Sequence, residues 1–221
     1  MSYPANLIFQ HQEKSSRLWA LFTIIPIKIL AILPHFFVLM FLGIIVMFAG
    51  ILGVFAVLFT GKYPQSFENL IVGLYRWSWR IGAYFSCMTD KYPPFTLKST
   101  DHPADLAFQH QEKSSRLWAL LTIFGIKMIV LIPHMIILMC LGIVAEIAVF
   151  IGIFVVLFAG KYPQSFEKVI IAYAKYTFRI NTYFWCLTDK YPPFPWKDEV
   201  PEAPQAPKAQ EDSSIKAGES V

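Results

Sequence analysis

The sequence of 221 residues has few charged side chains and few cysteines, and both shortages restrict what the chain can be. Asp, Glu, Lys and Arg supply 15% of the residues, against about 25% in an average soluble protein. Three cysteines, Cys87, Cys140 and Cys186, do not suggest the disulfide framework of a small secreted domain. Nucleophile elbows, phosphate loops, dinucleotide fingerprints and CxxC or HExxH spacings are missing as well. We therefore expect no enzyme, no cofactor and no metal centre.

Long apolar runs take the place of charge. From Leu18 to Phe59 the only charged residue is Lys28, and from Leu117 to Phe158 there are two, Lys127 and Glu146. A run of about 18 or more apolar residues is typical of a membrane-embedded segment. The sequence therefore predicts an all-α integral membrane protein.

The chain also repeats itself. Three stretches recur letter for letter, each at an offset of 99 residues: QHQEKSSRLWAL, GKYPQSFE and TDKYPPF. Between 7–95 and 106–194, 52 of 89 positions are identical. Two copies of this length indicate two homologous modules rather than a solenoid.

Each module has the same predicted parts: two apolar segments separated by a Pro-His pair, then a surface helix. We place the first module at 1–97, with apolar segments at 18–33 and 36–59 and a surface helix at 66–88. A linker follows at 98–105. The second module occupies 106–196, with apolar segments at 117–132 and 135–158 and a surface helix at 165–187, and a tail follows at 197–221.

The path of the first apolar segment decides the topology. Sixteen residues span about 24 Å as a helix, which is short of a crossing, so the segment either slants through the headgroups or crosses and returns. Both modules have the same lysine-bearing flanks, and such flanks prefer the cytoplasm. Equal sidedness requires an even number of crossings. We therefore favour a transmembrane helical hairpin that turns at Pro34-His35 and Pro133-His134, with termini and linker in the cytoplasm.

The octapeptide GKYPQSFE is predicted to turn a spanning helix into a surface helix. Gly61 can end a helix in a left-handed turn, Pro64 prevents its continuation, and Ser66 can cap the next one. That helix has an apolar stripe, a basic face and aromatic residues between them, which is typical of an amphipathic helix in the membrane interface. The residues predicted to meet anionic lipid headgroups are Arg76, Arg80, Lys168, Lys175, Arg179, Trp77 and Trp79.

Two polar groups in unusual places are further candidates. Glu146 lies within the second spanning segment, where the first module has Met47, and Lys127 is its possible partner. The duplicated His-x-Glu of His11 and His110 could in principle contribute to a metal site, but further ligands at metal spacing are missing, so we do not predict one.

The two ends of the chain differ in character. The opening residues lack the basic and apolar regions of a secretory signal peptide, so we expect the first apolar segment to direct insertion. The tail is rich in Pro, Ala and acids, and is predicted to be disordered.

The motifs resemble a bacterial membrane-protein family catalogued as a domain of unknown function. Leu33-Pro34-His35, LFTGKYP, RWSWR and TDKYPPF carry the resemblance in the first module; Ile132-Pro133-His134, LFAGKYP and TDKYPPF carry it in the second. The resemblance implies a location in the bacterial inner membrane and brings no activity or site residue.

The function we expect is non-enzymatic: a scaffold, an accessory subunit or a membrane-shaping protein that binds anionic lipid or a membrane-protein partner, with no role for nucleic acid. The alternative is a small transporter or channel component that uses Glu146.

Overall fold

The computed structural model describes residues 3–195, so the predicted tail at 197–221 lies outside the described residues. Within that range the chain forms six helices and two short strands. In chain order these are β1 (Ala5–Phe9), α1 (Arg17–Ile24), α2 (Ile27–Thr60), α3 (Gln65–Phe85), β2 (Ala104–Phe108), α4 (Arg116–Ile123), α5 (Ile126–Ala159) and α6 (Gln164–Phe184).

The two-module organisation is confirmed, since every element of the first module has its counterpart in the second. Helices α2 and α5 are each long and apolar enough to cross a membrane. The predicted surface helices correspond to α3 and α6, which begin and end within three residues of the predicted bounds.

The predicted turn at Pro34-His35 is wrong. Helix α2 is continuous over 34 residues with Pro34 inside it, and α5 contains Pro133 in the same way. A proline removes one N–H from the helix ladder, but a long helix in apolar surroundings tolerates this when neighbours supply other hydrogen bonds. The Leu30 carbonyl is the one that Pro34 leaves without its helical donor. At the next residue the Tyr92 hydroxyl donates to the Ala31 carbonyl, at 2.8 Å, so a tertiary contact supports the helix beside the proline. The chain instead breaks at Ile25-Pro26, where α1 ends and α2 begins.

The octapeptide forms the predicted bend. Gly61 ends α2 in the left-handed region with a φ of 73°, and Gly160 ends α5 with a φ of 69°. Pro64 rather than Ser66 is the residue that caps α3, in extended conformation.

A small sheet joins the modules and was not expected in an all-α chain. Strands β1 and β2 pair antiparallel, and the register sets Leu7 opposite Leu106, its own copy. An internal two-fold axis therefore passes through this pair. One face of the sheet packs on the helices, because Ala5, Ala104 and Leu106 are buried, whereas Ile8 and Ala107 on the other face are exposed. Asp105 shares that other face but is buried in its contacts with Arg76 and Ser99. A rotation that exchanges the two antiparallel strands and keeps the buried face buried must be about an axis perpendicular to the sheet.

The core lies between the long helices and α3 and α6. Helix α2 buries one stripe of residues, from Lys28 to Val57, against the rest of the molecule. Its other faces expose large apolar side chains such as Leu30, Phe41 and Phe59. Helix α3 is covered on both sides, by α2 and by β2.

Candidate functional site

The repeated polar stretches meet each other across the modules at two symmetric places, which we call the junctions. At the first junction the Ser15 amide donates to the Gly160 carbonyl, at 3.0 Å. At the second the Ser114 amide donates to the Gly61 carbonyl, at 2.9 Å. The lead of one module therefore binds the helix end of the other, which explains why both stretches occur twice.

A histidine and a glutamate add a hydrogen-bonded pair to each junction. His11 Nδ1 lies 2.6 Å from Glu167 Oε2, and His110 Nδ1 lies 2.7 Å from Glu68 Oε2. Both glutamates are buried. Burial raises the pKa of Glu68, and the hydrogen bond from His110 acts against that rise. Among residues 3–195 no group of three or more His, Cys, Asp and Glu side chains could hold a metal ion.

Exposed cations surround each junction. Lys14 and Arg17 come from the lead of the first module and Lys161 from the octapeptide of the second; Lys113, Arg116 and Lys62 form the equivalent set. All six are exposed. The exposed apolar rings of Phe158 and Phe59 lie just before Lys161 and Lys62 in the chain, with relative exposures of 75% and 74%. Each junction thus presents three cations beside an apolar surface.

Most of the predicted headgroup-binding residues are inside the protein. Trp77, Trp79, Arg80, Lys175 and Arg179 are buried, Arg76 is half-buried, and only Lys168 is exposed. This part of the prediction is corrected for a physical reason: the basic face of α3 packs on β2 rather than on water or lipid. Arg76 Nε lies 2.7 Å from Asp105 Oδ1. In the second module Arg179 Nε donates to the Ala5 carbonyl, at 3.3 Å.

Glu146 and Lys127 are not brought together. Lys127 is fully buried, and its ammonium lies 3.3 Å from Cys186 Sγ and 4.2 Å above the Tyr183 ring. Glu146 is exposed on the same helix, 19 residues and therefore about 28 Å further along. The pairing considered from the sequence is wrong.

The duplicated lysine and cysteine form a buried contact that the sequence interpretation missed. Lys28 Nζ lies 3.4 Å from Cys87 Sγ, and Lys127 Nζ lies 3.3 Å from Cys186 Sγ. Both cysteines have a positive φ, 61° and 60°, a conformation that normally favours glycine. The signal for this contact was present: a lysine inside each apolar run and a cysteine at equivalent positions.

The repeated TDKYPPF closes over the duplicated histidine. Phe95 stacks on His35 with ring centroids 3.8 Å apart, and His35 Nε2 lies 2.9 Å from the Tyr92 hydroxyl. Trp77 Nε1 donates to His35 Nδ1, at 3.0 Å. In the second module Phe194 stacks on His134 in the same way. The Pro-His pair is therefore the anchor of a packed aromatic cluster.

Fold and contacts together define a two-module helical protein with two helices that are able to cross a membrane. The chain belongs to the family described as Domain of unknown function (DUF4389), whose profile matches residues 25–96 and 122–197. The resemblance inferred from the motifs is thereby confirmed. Each matched stretch contains a long helix, the following helix and the closing TDKYPPF, and omits the preceding strand. No curated protein and no solved structure matches the chain.

Proposed function

We propose that this chain is a non-enzymatic protein of the bacterial inner membrane that binds anionic lipid headgroups and acts as a scaffold or accessory subunit or shapes the bilayer. The observation that carries the proposal is the arrangement of the junctions: three exposed cations each, beside an extensive exposed apolar surface on α2 and α5. Cations at that boundary attract anionic lipid, with about 1 kcal/mol for each Lys or Arg near the surface.

The junction cations replace those predicted on the surface helices. They come from two modules, so the binding surface exists only when the fold is closed. Glu13 and Glu112 lie in the same leads and are exposed. Each junction also holds a buried glutamate that is hydrogen-bonded to histidine and a half-buried aspartate, Asp90 or Asp189. Among its exposed Lys, Arg, Asp and Glu side chains, three are cations and one is a carboxylate, so the surface that faces outward is positive.

Lipid selectivity tests the proposal. The protein is purified from vesicles of mixed phosphatidylglycerol and phosphatidylcholine, and the ratio of the two retained lipids is measured. Replacing Lys14 and Lys161 by Gln should reduce the preference for phosphatidylglycerol, by about fivefold for each cation removed. Lys98→Gln, an exposed lysine away from the junctions, should leave the ratio unchanged. An unaltered ratio in the junction variant would contradict the proposal.

Bilayer shaping has its own measurement. Vesicles reconstituted at increasing protein content should become smaller and more curved. Vesicle diameters that stay constant at high protein content would remove shaping and leave the scaffold role.

Transport through Glu146 is the alternative that the sequence raised. A flux assay on the wild type and Glu146→Gln separates it from the proposed role, because equal background flux in both proteins counts against transport.

A further inference from the structure

The long helices have a fixed relation to the internal axis. Helix α2 begins where Lys28 contacts Cys87, close to Asp90, whose carboxylate accepts a hydrogen bond from the Ser16 amide. That is the first junction, where α5 ends. Helix α2 ends at Gly61, in the second junction, near the start of α5. The two helices therefore run in opposite directions between the same two junctions.

The polar centre of the molecule lies midway between the junctions. Arg76 is near the middle of α3, which joins the two junctions over 21 residues, and Arg80 is one turn closer to the first junction. Arg76 donates to the carbonyls of Leu97 and Leu106, and Arg80 to that of Lys98. Sheet and linker are thus level with the middle of the long helices, not with their ends.

This placement conflicts with a crossing. If α2 stood along the membrane normal, the exposed Lys98 and Ser99 would lie at the depth of the hydrocarbon centre. A lysine there costs about 2.5–3.5 kcal/mol on insertion scales. The length conflicts as well: 34 helical residues span about 51 Å against a core of about 30 Å. To fit, the helix would tilt by over about 50°, beyond the usual range.

Both conflicts, the depth of Lys98 and the length of α2, disappear if the internal two-fold axis is parallel to the membrane normal. The two-fold axis is perpendicular to the sheet, and it exchanges the two junctions, so both then lie at one depth. The sheet and linker face water, and both sets of junction cations reach the same membrane surface. Equal sidedness of the repeated flanks, which the sequence predicted, follows without a hairpin.

We propose that α2 and α5 lie along a single leaflet of an anionic membrane, with their exposed apolar faces in the acyl region and the polar centre in water. The occupant of the apolar face is the lipid leaflet itself. The cations at both ends supply the complementary charge, and the apolar stripe that runs from Ile29 to Phe59 supplies the contact. The inference rests on the proposed association with lipid.

Sidedness is tested by labelling single cysteines in full-length protein, in intact spheroplasts and in inverted vesicles. The variants are Lys62→Cys, Lys161→Cys and Lys98→Cys in a Cys140→Ala background; Cys87 and Cys186 are buried. A membrane-impermeant maleimide should label all three from the same side. Labelling of residues 62 and 161 from opposite sides would overturn the inference and show one crossing per module.

Depth gives a second, independent measurement. Nitroxides are placed at three exposed positions along α2 through Leu30→Cys, Phe41→Cys and Phe55→Cys. A helix along one leaflet gives similar collision rates with oxygen dissolved in the lipid at all three sites. A clear maximum at residue 41 would reveal a crossing.

The two proposals fail in different ways. Protein that leaves the membrane fraction in a salt or carbonate wash contradicts the proposed lipid association. Protein that stays in the membrane with opposite labelling contradicts only the orientation.

Discussion

Two tyrosines of the repeated octapeptides pack directly against glycines of the long helices, in the space that a side chain at those glycines would need. The Tyr63 ring fills the position of a Cβ at Gly53, and the Tyr162 hydroxyl lies 2.5 Å from the position of a Cβ at Gly152. Both tyrosines are buried. Glycine is thus required where each octapeptide docks on its own long helix.

The same helix contains a matched control. A Cβ at Gly43 would meet no heavy atom within 4 Å. We expect Gly53→Ala to lower the free energy of unfolding by about 1–3 kcal/mol, because the Tyr63 ring is displaced. Gly43→Ala should be neutral or stabilising, because alanine favours a helix by up to about 1 kcal/mol over glycine. Denaturant unfolding in detergent micelles, followed by circular dichroism, compares the two. Equal destabilisation would contradict this account.

The burial of the Glu68 carboxyl group leads us to expect that the stability of the fold depends on pH. Burial raises its pKa above the ordinary 4.5, so the folded protein binds a proton that the unfolded chain has lost. This contribution to the free energy of unfolding is full at low pH and is lost as pH rises through the interval above 4.5. Glu68→Gln should flatten that part of the pH profile. If the free energy of unfolding declines with pH equally in the wild type and in Glu68→Gln, Glu68 is not the group responsible.

At the scale of elements, the joint between α3 and β2 depends on one carboxylate. Asp105 lies 2.7 Å from Arg76 and 3.4 Å from Arg80, and Arg80 is fully buried. Asp105→Asn should lower the free energy of unfolding by about 3–5 kcal/mol, because it leaves the buried Arg80 and the half-buried Arg76 without their counterion. The exposed Asp101 also pairs with a cation, Lys91, and Asp101→Asn should have no measurable effect. Thermal unfolding in micelles checks both, and similar melting temperatures for the two variants would count against the joint.

Local chemistry allowed some elements to be predicted and left others hidden. The left-handed turn at Gly61 and the helix after it follow from the octapeptide alone. The unbroken course of α2 through Pro34 does not, because the contacts beside the proline come from distant parts of the chain, such as the hydrogen bond from Tyr92 to the Ala31 carbonyl. Strands β1 and β2 were missed because each has five residues and its only partner is in the other module. The basic residues of α3 were predicted to share one face of a helix, but their partner, Asp105, lies in the stretch 98–105 that was predicted only as a linker.

On the scale of the whole molecule, the modules are interlocked rather than placed side by side. The first strand packs on α6, and α1 packs on α5. The junctions add the pairs Ser15–Gly160 and Ser114–Gly61. The sequence of one module does not contain this exchange, so the number of modules could be predicted but not the contacts between them.

Cutting the chain between the modules tests the exchange. A protease site inserted after Thr100, in an exposed stretch, leaves both junctions intact. After cleavage in micelles the two halves should remain associated and co-elute on size exclusion, because each half supplies a strand, a lead and a helix end to the other. Weakening both junctions through His11→Ala and His110→Ala should promote their separation. Free halves after cleavage of the wild type would contradict the exchange.

Leu7 facing Leu106 has an evolutionary consequence. A residue that meets its own duplicate on a symmetry axis would equally meet its twin in a second chain, so a protein with a single module is expected to build the same body as a homodimer. Gene duplication then fixes the stoichiometry and frees each half to change by itself. The second module has Glu146 where the first has Met47, and Lys168 where the first has Asn69. Only the fused chain can have such a difference in one module and not in the other.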